Sequence, residues 1–262
     1  ADFNTIYNTP FNAGLGFYQD KAGDSEFSTL QITPSFSYTL FLGDSSQTIT
    51  AGIQPAYTQR RINYNNLQFD NQFNGLYYDA SLGNNENFSN NGRDYLNIHS
   101  GISWNYNIDI RKQVAAGFAI HNLVTPKQSF FNDDNIQLHK RYTFHTNGLF
   151  RVSNKIDALP SISFMTQHQF KEIIFGGSGK YHLNKGDYKA VYLGIWYRNK
   201  DATYFTAELD YRNFHFGVSY DLNLSSLKVA SHNRGGFEFS VIYIFEKYRP
   251  IIKRYKACPN FI

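Results

Sequence analysis

The side chains with chemical potential are titratable ones that period-two alternation sets on one face of extended segments. They are His99, His145, Arg151, Glu172, Lys180, His182, Glu208, Asp210, His215 and Asp221. Such a set makes either a polar conduit or docking surface, or a network of paired charges that stiffens a narrow interior, because buried charges need partners. A zinc-type centre needs several of His99, His145, His182 and His215 to converge in tetrahedral geometry, and these four lie on different segments. A serine nucleophile needs a histidine within hydrogen-bond reach, and no spacing singles out such a pair. Gly176-Gly-Ser-Gly179 resembles a phosphate-binding loop, but it lies inside a strand pattern and no helix follows, so the context for that motif is missing. The competing reading is glycine relieving crowding in a sheet wall. Asp133-Asp134 offers two carboxylates, short of the roughly six to eight oxygens that calcium takes. The expectation is a protein that is not an enzyme, with no catalytic residue, no metal and no cofactor.

The elements that carry these residues are strands. In Gly236-Phe-Glu-Phe-Ser-Val-Ile-Tyr-Ile-Phe245, Phe237, Phe239, Val241, Tyr243 and Phe245 share one face, and Glu238 and Ser240 share the other. About ten residues of alternation ending in aromatics is the pattern of a strand in an outer-membrane barrel. Residues 27–42 repeat it, with Leu30, Ile32, Pro34, Phe36, Tyr38, Leu40 and Leu42 opposite Thr29, Gln31, Thr33, Ser35, Ser37 and Thr39. The same reading gives strands at 1–7, 13–19, 47–60, 95–107, 113–122, 141–152, 156–167, 170–183, 188–198, 203–210 and 214–223. Pro34 and Pro55 predict bulges or disturbed pairing, since proline cannot donate to a ladder. No window reads as a long amphipathic helix.

Composition agrees with alternation between lipid and lumen. Aromatics are 18% of the 262 residues and charged residues also 18%, the latter below the usual ~25%. Mean hydropathy is negative, and no run approaches the ~18 apolar residues of a membrane helix. These numbers suit a soluble sandwich equally, so the connections must discriminate. Short turns at 8–10, 43–46, 109–111, 153–155, 185–187 and 212–213 alternate with a set that includes long loops at 62–93, 123–139 and 224–235. Barrels of the outer membrane place short turns on the periplasmic side and long loops outside, whereas a sandwich does not predict this alternation. The expected fold is therefore an all-β transmembrane antiparallel β-barrel of about fourteen strands, thirteen read here and one ahead of Ala1. The C-terminus is expected in the periplasm and the long loops outside the cell. Residues 1–246 would form the barrel and 247–262 a periplasmic tail.

The net charge of +4 is spread except in the tail, which leaves no nucleic-acid footprint. One cysteine, Cys258, excludes an intrachain disulfide framework. Ala1-Asp-Phe-Asn lacks the features of a signal peptide, so the chain is expected to be a processed or partial product. In the first long loop, Phe69 and Phe73 interleave with Asp70, Asn71 and Gln72. In the second, Phe130 and Phe131 adjoin Asp133 and Asp134. Aromatics beside hydrogen-bonding groups suit protein recognition; the other reading is a loop folded into the barrel mouth with its aromatics packed inside. The basic tail, with Arg249, Lys253, Arg254, Cys258 and Phe261, would dock on a periplasmic partner or fold into the barrel opening.

Several stretches also resemble a family. They are Leu67-Gln-Phe-Asp-Asn-Gln-Phe-Asn-Gly75 with Tyr78-Asp79, Thr125-Pro-Lys-Gln-Ser-Phe-Phe131, and Leu138-His-Lys-Arg-Tyr142. With them stand Val218-Ser-Tyr-Asp-Leu-Asn-Leu-Ser-Ser226, Asn233-Arg-Gly-Gly-Phe-Glu238, Cys258-Pro-Asn-Phe261 and Asp20-Lys-Ala-Gly23. Together they are similar to the PorP/SprF family of type IX secretion proteins of Bacteroidetes outer membranes. The family's Asn-Pro-Ala-Tyr-Ala-Gly start is absent, which suggests a missing N-terminal segment. The resemblance implies a noncatalytic barrel in outer-membrane lipid, with two kinds of protein partner. One is a secreted surface adhesin of the gliding-motility type, or its C-terminal domain. The other is the periplasmic ring of the type IX machinery, including its lipoprotein. Phe69, Asp70, Gln72, Phe73, Phe130, Phe131 and Asp133 are the expected contacts for the first, and the tail residues for the second. A small-solute, porin-like channel is the alternative.

Overall fold

The computed structural model describes residues 2–3, 10–43, 46–84, 86, 90–131, 133–225 and 234–245. Among them the chain forms thirteen strands in one antiparallel sheet whose spatial order is the order of the sequence. The strands are β1 (Asp2–Phe3), β2 (Phe11–Ala22), β3 (Phe27–Leu42), β4 (Gln47–Arg61), β5 (Gly92–Asp109), β6 (Lys112–His121) and β7 (Arg141–Arg151). They continue as β8 (Ile156–Gln167), β9 (Phe170–Lys185), β10 (Tyr188–Arg198), β11 (Ala202–Tyr211), β12 (Phe214–Asn223) and β13 (Arg234–Tyr243). Two short 3-10 turns, Tyr64–Asn66 and Asp70–Gln72, are the only helical pieces among the described residues. The fold is thus the all-β, up-and-down antiparallel architecture of a membrane barrel. The strand expected ahead of Ala1 and the tail 247–262 lie outside the described residues.

The alternation dictates which way each strand faces. Phe17 on β2, Phe36 on β3, Leu96 on β5, Leu193 on β10 and Phe239 on β13 are all exposed on the convex side. The opposite side lines a mainly polar cavity that draws on strands from β3 to β8, so the sheet curls around its hydrophilic face. A water-exposed apolar belt of this extent is unfavourable in a soluble monomer. In lipid it is the matching surface.

Two local expectations meet the structure differently. Pro34 and Pro55 fall opposite each other across β3 and β4, and the ladder skips from Ile32↔Tyr57 to Phe36↔Ile53. Pairing is disturbed as expected, but no bulge forms, because two prolines facing each other remove donors without adding a residue to either strand. Gly176 and Gly177 are wall glycines. A Cβ on Gly176 would collide with the carbonyl oxygen of Ile195, and one on Gly177 would lie 2.8 Å from the carbonyl oxygen of Leu159. β9 therefore accepts only hydrogen there, and the phosphate-loop reading has no helix to serve.

The connections define two ends. At one, 110–111, 152–155, 186–187 and 212–213 are tight turns, with Gly186 at φ 61° supplying the left-handed residue between β9 and β10. At the other lie the loops of 62–91 and 122–140, among shorter connections such as 168–169.

Candidate functional site

The concave face gathers its charges into separate clusters. Near the short-turn end, Asp157 is 1% exposed. It accepts from Arg111 Nε at 2.8 Å and Nη2 at 2.5 Å, and pairs with His182 Nε2 at 2.6 Å. Arg111 also donates to the carbonyls of Ser153, Asn154 and Ile156. One guanidinium thereby fastens the 110–111 turn to the 152–155 turn. Beside it, Asp210 accepts from Tyr192 Oη at 2.6 Å and pairs with His215 Nδ1 at 2.7 Å, while Lys180 Nζ stands 3.8 Å away. His215 Nε2 reaches Glu208 at 3.3 Å. Toward the long-loop end of the same strands, Arg198 pairs with Asp201 at 3.0 Å and faces Glu172 at 4.0 Å. These clusters place Glu172, Lys180, His182, Glu208, Asp210 and His215 in paired networks that brace the wall. Arg111, Asp157, Tyr192 and Arg198 complete them. Alternation from Ile156 already puts Asp157 inward, but Arg111 lies in a turn, where period two has nothing to say.

His99 and His145 sit apart from these networks. Both line a cavity of about 400 Å³ together with His121. Among the described residues, no group of three or more His, Cys, Asp or Glu side chains is placed to hold a metal. A second cavity, of about 470 Å³, opens beneath the long loops and shares His99 and His121.

The first long loop is held by its own hydrogen bonds. Gln72 is 8% exposed; its Oε1 accepts from Phe69 N at 3.2 Å and its Nε2 donates to Leu82 O at 3.3 Å. Asp79 N returns to Gln72 O at 2.8 Å. Phe73 and Tyr78 pair as a small bridge, and Asn74 Oδ1 accepts from the backbone of Leu76 and Tyr77 at 3.0 Å each. Gly75, at φ 96°, turns the tip. The outcome is a miniature hairpin that exposes Phe73 by 58% and Leu76 by 87%, with Tyr77 and Tyr78 beside them. Asp70 is exposed at the start of its 3-10 turn. The Ser81 hydroxyl and backbone N–H hold the Asp79 carboxyl below the usual carboxylate range.

The second loop is docked on the rim. Arg60 Nη1 donates to Gln128 Oε1 at 2.5 Å, Asn90 Nδ2 to Phe130 O at 3.0 Å, and Arg93 Nε to Lys127 O at 3.3 Å. Phe130 packs edge-on against Phe27 with centroids 6.3 Å apart. Buried Ser129 accepts from the backbone of Phe131 and Asp133, and Lys127 pairs with Asp134 at 2.7 Å. Phe131 is left 61% exposed. Asp133 is exposed but its Oδ1 accepts from Asn135 N at 2.9 Å, closing a local turn.

Of the expected contact residues, Phe73, Phe131, Asp70 and Asp133 are exposed at the long-loop end, while Gln72 and Phe130 serve the loops' own packing. Leu76 and Tyr77, which complete the exposed cluster, lie just beyond the stretch 68–75 that interleaving picked out; their apolar character before Tyr78 was the available signal. Arg249, Lys253, Arg254, Cys258 and Phe261 lie outside the described residues.

The family model described as type IX secretion system membrane protein PorP/SprF matches residues 3–243. No curated protein matches the chain. Among solved structures, the chain is similar to the toluene transporter TbuX of Ralstonia pickettii, with 11% identity and a TM-score of 0.47 over 83% of this chain and 74% of that one. It is also similar to the CymD monoaromatic hydrocarbon channel, with 10% identity and a TM-score of 0.48 over 83% and 75%.

Proposed function

The chain belongs to the PorP/SprF family of type IX secretion system membrane proteins, and from that premise we propose that it is a noncatalytic barrel of the outer membrane that holds or presents a secreted surface adhesin. The long loops then face outside the cell. The short turns and the C-terminal tail face the periplasm and contact the ring of the secretion machinery. The observation that carries this reading is the pair of hydrogen-bonded loops that expose Phe73, Leu76, Tyr77 and Phe131 on one end of the molecule. Aromatic and aliphatic side chains fixed in this way form an anchor patch at low entropic cost, because the backbone that presents them is already ordered.

The test is affinity purification from native outer membranes in mild detergent, with mass spectrometry of the co-purifying proteins. A large surface protein and type IX components at fixed stoichiometry are expected. The triple substitution Phe73→Ala, Leu76→Ala and Tyr77→Ala should remove the surface protein and leave the barrel in the membrane. Deleting the gene should abolish display of one adhesin while other type IX cargo still emerges. Normal display in the deletion strain refutes the proposal. The interior cavities favour a second reading, a small-solute channel. A barrel that purifies alone and conducts ions in a planar bilayer supports that reading instead.

A further inference from the structure

The charges of the concave face are not evenly mixed. On β8 to β12 every cluster described above joins cations to carboxylates. The cavity of about 470 Å³ beneath the long loops is different: Arg60, Arg141, His99 and His121 line it, and no aspartate or glutamate does. Neither arginine has a carboxylate within ion-pair reach among the described residues. Arg60 is engaged by neutral groups, with Gln128 accepting at 2.5 Å and the Phe27 ring 4.9 Å from its guanidinium carbon. The Nε of Arg141 is buried with no hydrogen-bond partner at all. A buried N–H left unbonded is costly, so the wall behind the cavity does not neutralise Arg141.

Apart from Leu138 the rest of the lining is polar, and part of it is fixed. Asn97 and Asn122, both nearly inaccessible, are bonded to each other at 2.8 Å, and Asn122 continues to the carbonyl of His139 at 3.0 Å. Asn122 N donates to His99 Nδ1 at 3.2 Å, so neutral His99 carries its proton on Nε2 as a donor. Threonines from β3 and β4 add hydroxyls to the same wall. Two guanidinium groups with no acid beside them suit a carboxylate ligand, and the hydroxyls of Thr29, Thr33 and Tyr95 with the amides of Gln31 and Gln54 suit ligand hydroxyl groups. The volume is that of a small-ligand site and too small for a folded segment.

We propose that this cavity binds a small polyhydroxylated carboxylate, of the size and chemistry of a sugar acid, through Arg141 and Arg60. The proposal is independent of which protein the loops recognise.

The experiment is isothermal titration of the full chain in detergent with D-glucuronate, with D-glucuronamide as the neutral isostere. Saturable binding of glucuronate at one site and none of glucuronamide is expected. Arg141→Gln should weaken binding by at least about tenfold, the loss of one charge-assisted hydrogen bond. Arg60→Gln with Arg141→Gln should abolish it. Arg141→Lys keeps the charge and should retain part of the affinity, which separates a lost contact from a misfolded barrel. Lys112→Gln, at the short-turn end, removes the same net charge and should change nothing. Equal binding of glucuronamide, no binding of glucuronate, or unchanged affinity in the double variant overturns the proposal. Preference for an acidic peptide such as acetyl-Asp-Glu-Asp-Glu-amide over glucuronate overturns it too.

Discussion

Substituting Arg111 by alanine tests whether the interior charges brace the wall. Arg111 gives two hydrogen bonds to Asp157 and three to carbonyls of the neighbouring turn. Its removal leaves a carboxylate that is 1% exposed with His182 as its remaining partner. Breaking a buried ion pair costs ~3–5 kcal/mol. The Arg111 side chain is itself 22% exposed, so water already solvates part of it and the lower end applies, about 3 kcal/mol or somewhat over a hundredfold in the unfolding equilibrium. Asp157→Ala should cost less, about 1–2 kcal/mol, because the partly exposed guanidinium keeps its carbonyl partners. The double variant should fall short of the sum, since both singles delete one interaction. Urea unfolding of the barrel in lipid vesicles, followed by tryptophan fluorescence, measures all three. Shifts below about 0.5 kcal/mol for both singles, the range of ordinary surface changes, refute the bracing role.

Gly176→Ala should destabilise the barrel by about 1–3 kcal/mol, as overpacking does, because the new methyl meets the Ile195 carbonyl; Gly179→Ala, with open space at that point, is the matched control in the same unfolding assay. Gln72→Ala should leave barrel stability unchanged but release the first loop, seen as lost hydrogen-exchange protection at Phe69 and Asp79. The Asp79 carboxyl should titrate below ~3.9, the ordinary aspartate value, and Ser81→Ala should raise its midpoint toward that value by carbon-13 NMR. Since its folded pKa is depressed, the contribution to loop order is present above the unfolded pKa and is lost as pH falls through the folded one.

Strand positions and faces were legible in the sequence because both follow from local periodicity. Phe36 and Phe239 face outward by alternation alone, and nothing remote can reverse a side chain without slipping the register. Among the described residues the turns and loops were legible for the same reason, from Gly186 to the asparagine-rich stretch before β5, while most of the loop expected at 224–235 lies outside the described residues. Boundaries moved by a few residues, with β2 running over 11–22 rather than 13–19 and β13 opening at Arg234 rather than at Gly236, and the strand expected over 1–7 falls mostly outside the described residues. The tertiary structure decided which residues meet. That Arg111 reaches Asp157, 46 positions away, depends on two turns lying side by side. That Arg141 stands without an acid depends on what six other segments bring to the same cavity wall. Inside the loops no period operates, so hydrogen bonds to particular backbone groups turned Gln72 and Phe130 inward and left Phe73, Leu76 and Phe131 exposed. Sequence therefore determined the wall and its two surfaces. Cross-strand register and loop hydrogen bonding, which are set by residues far apart in the chain, determined the charge clusters and the exposed patch.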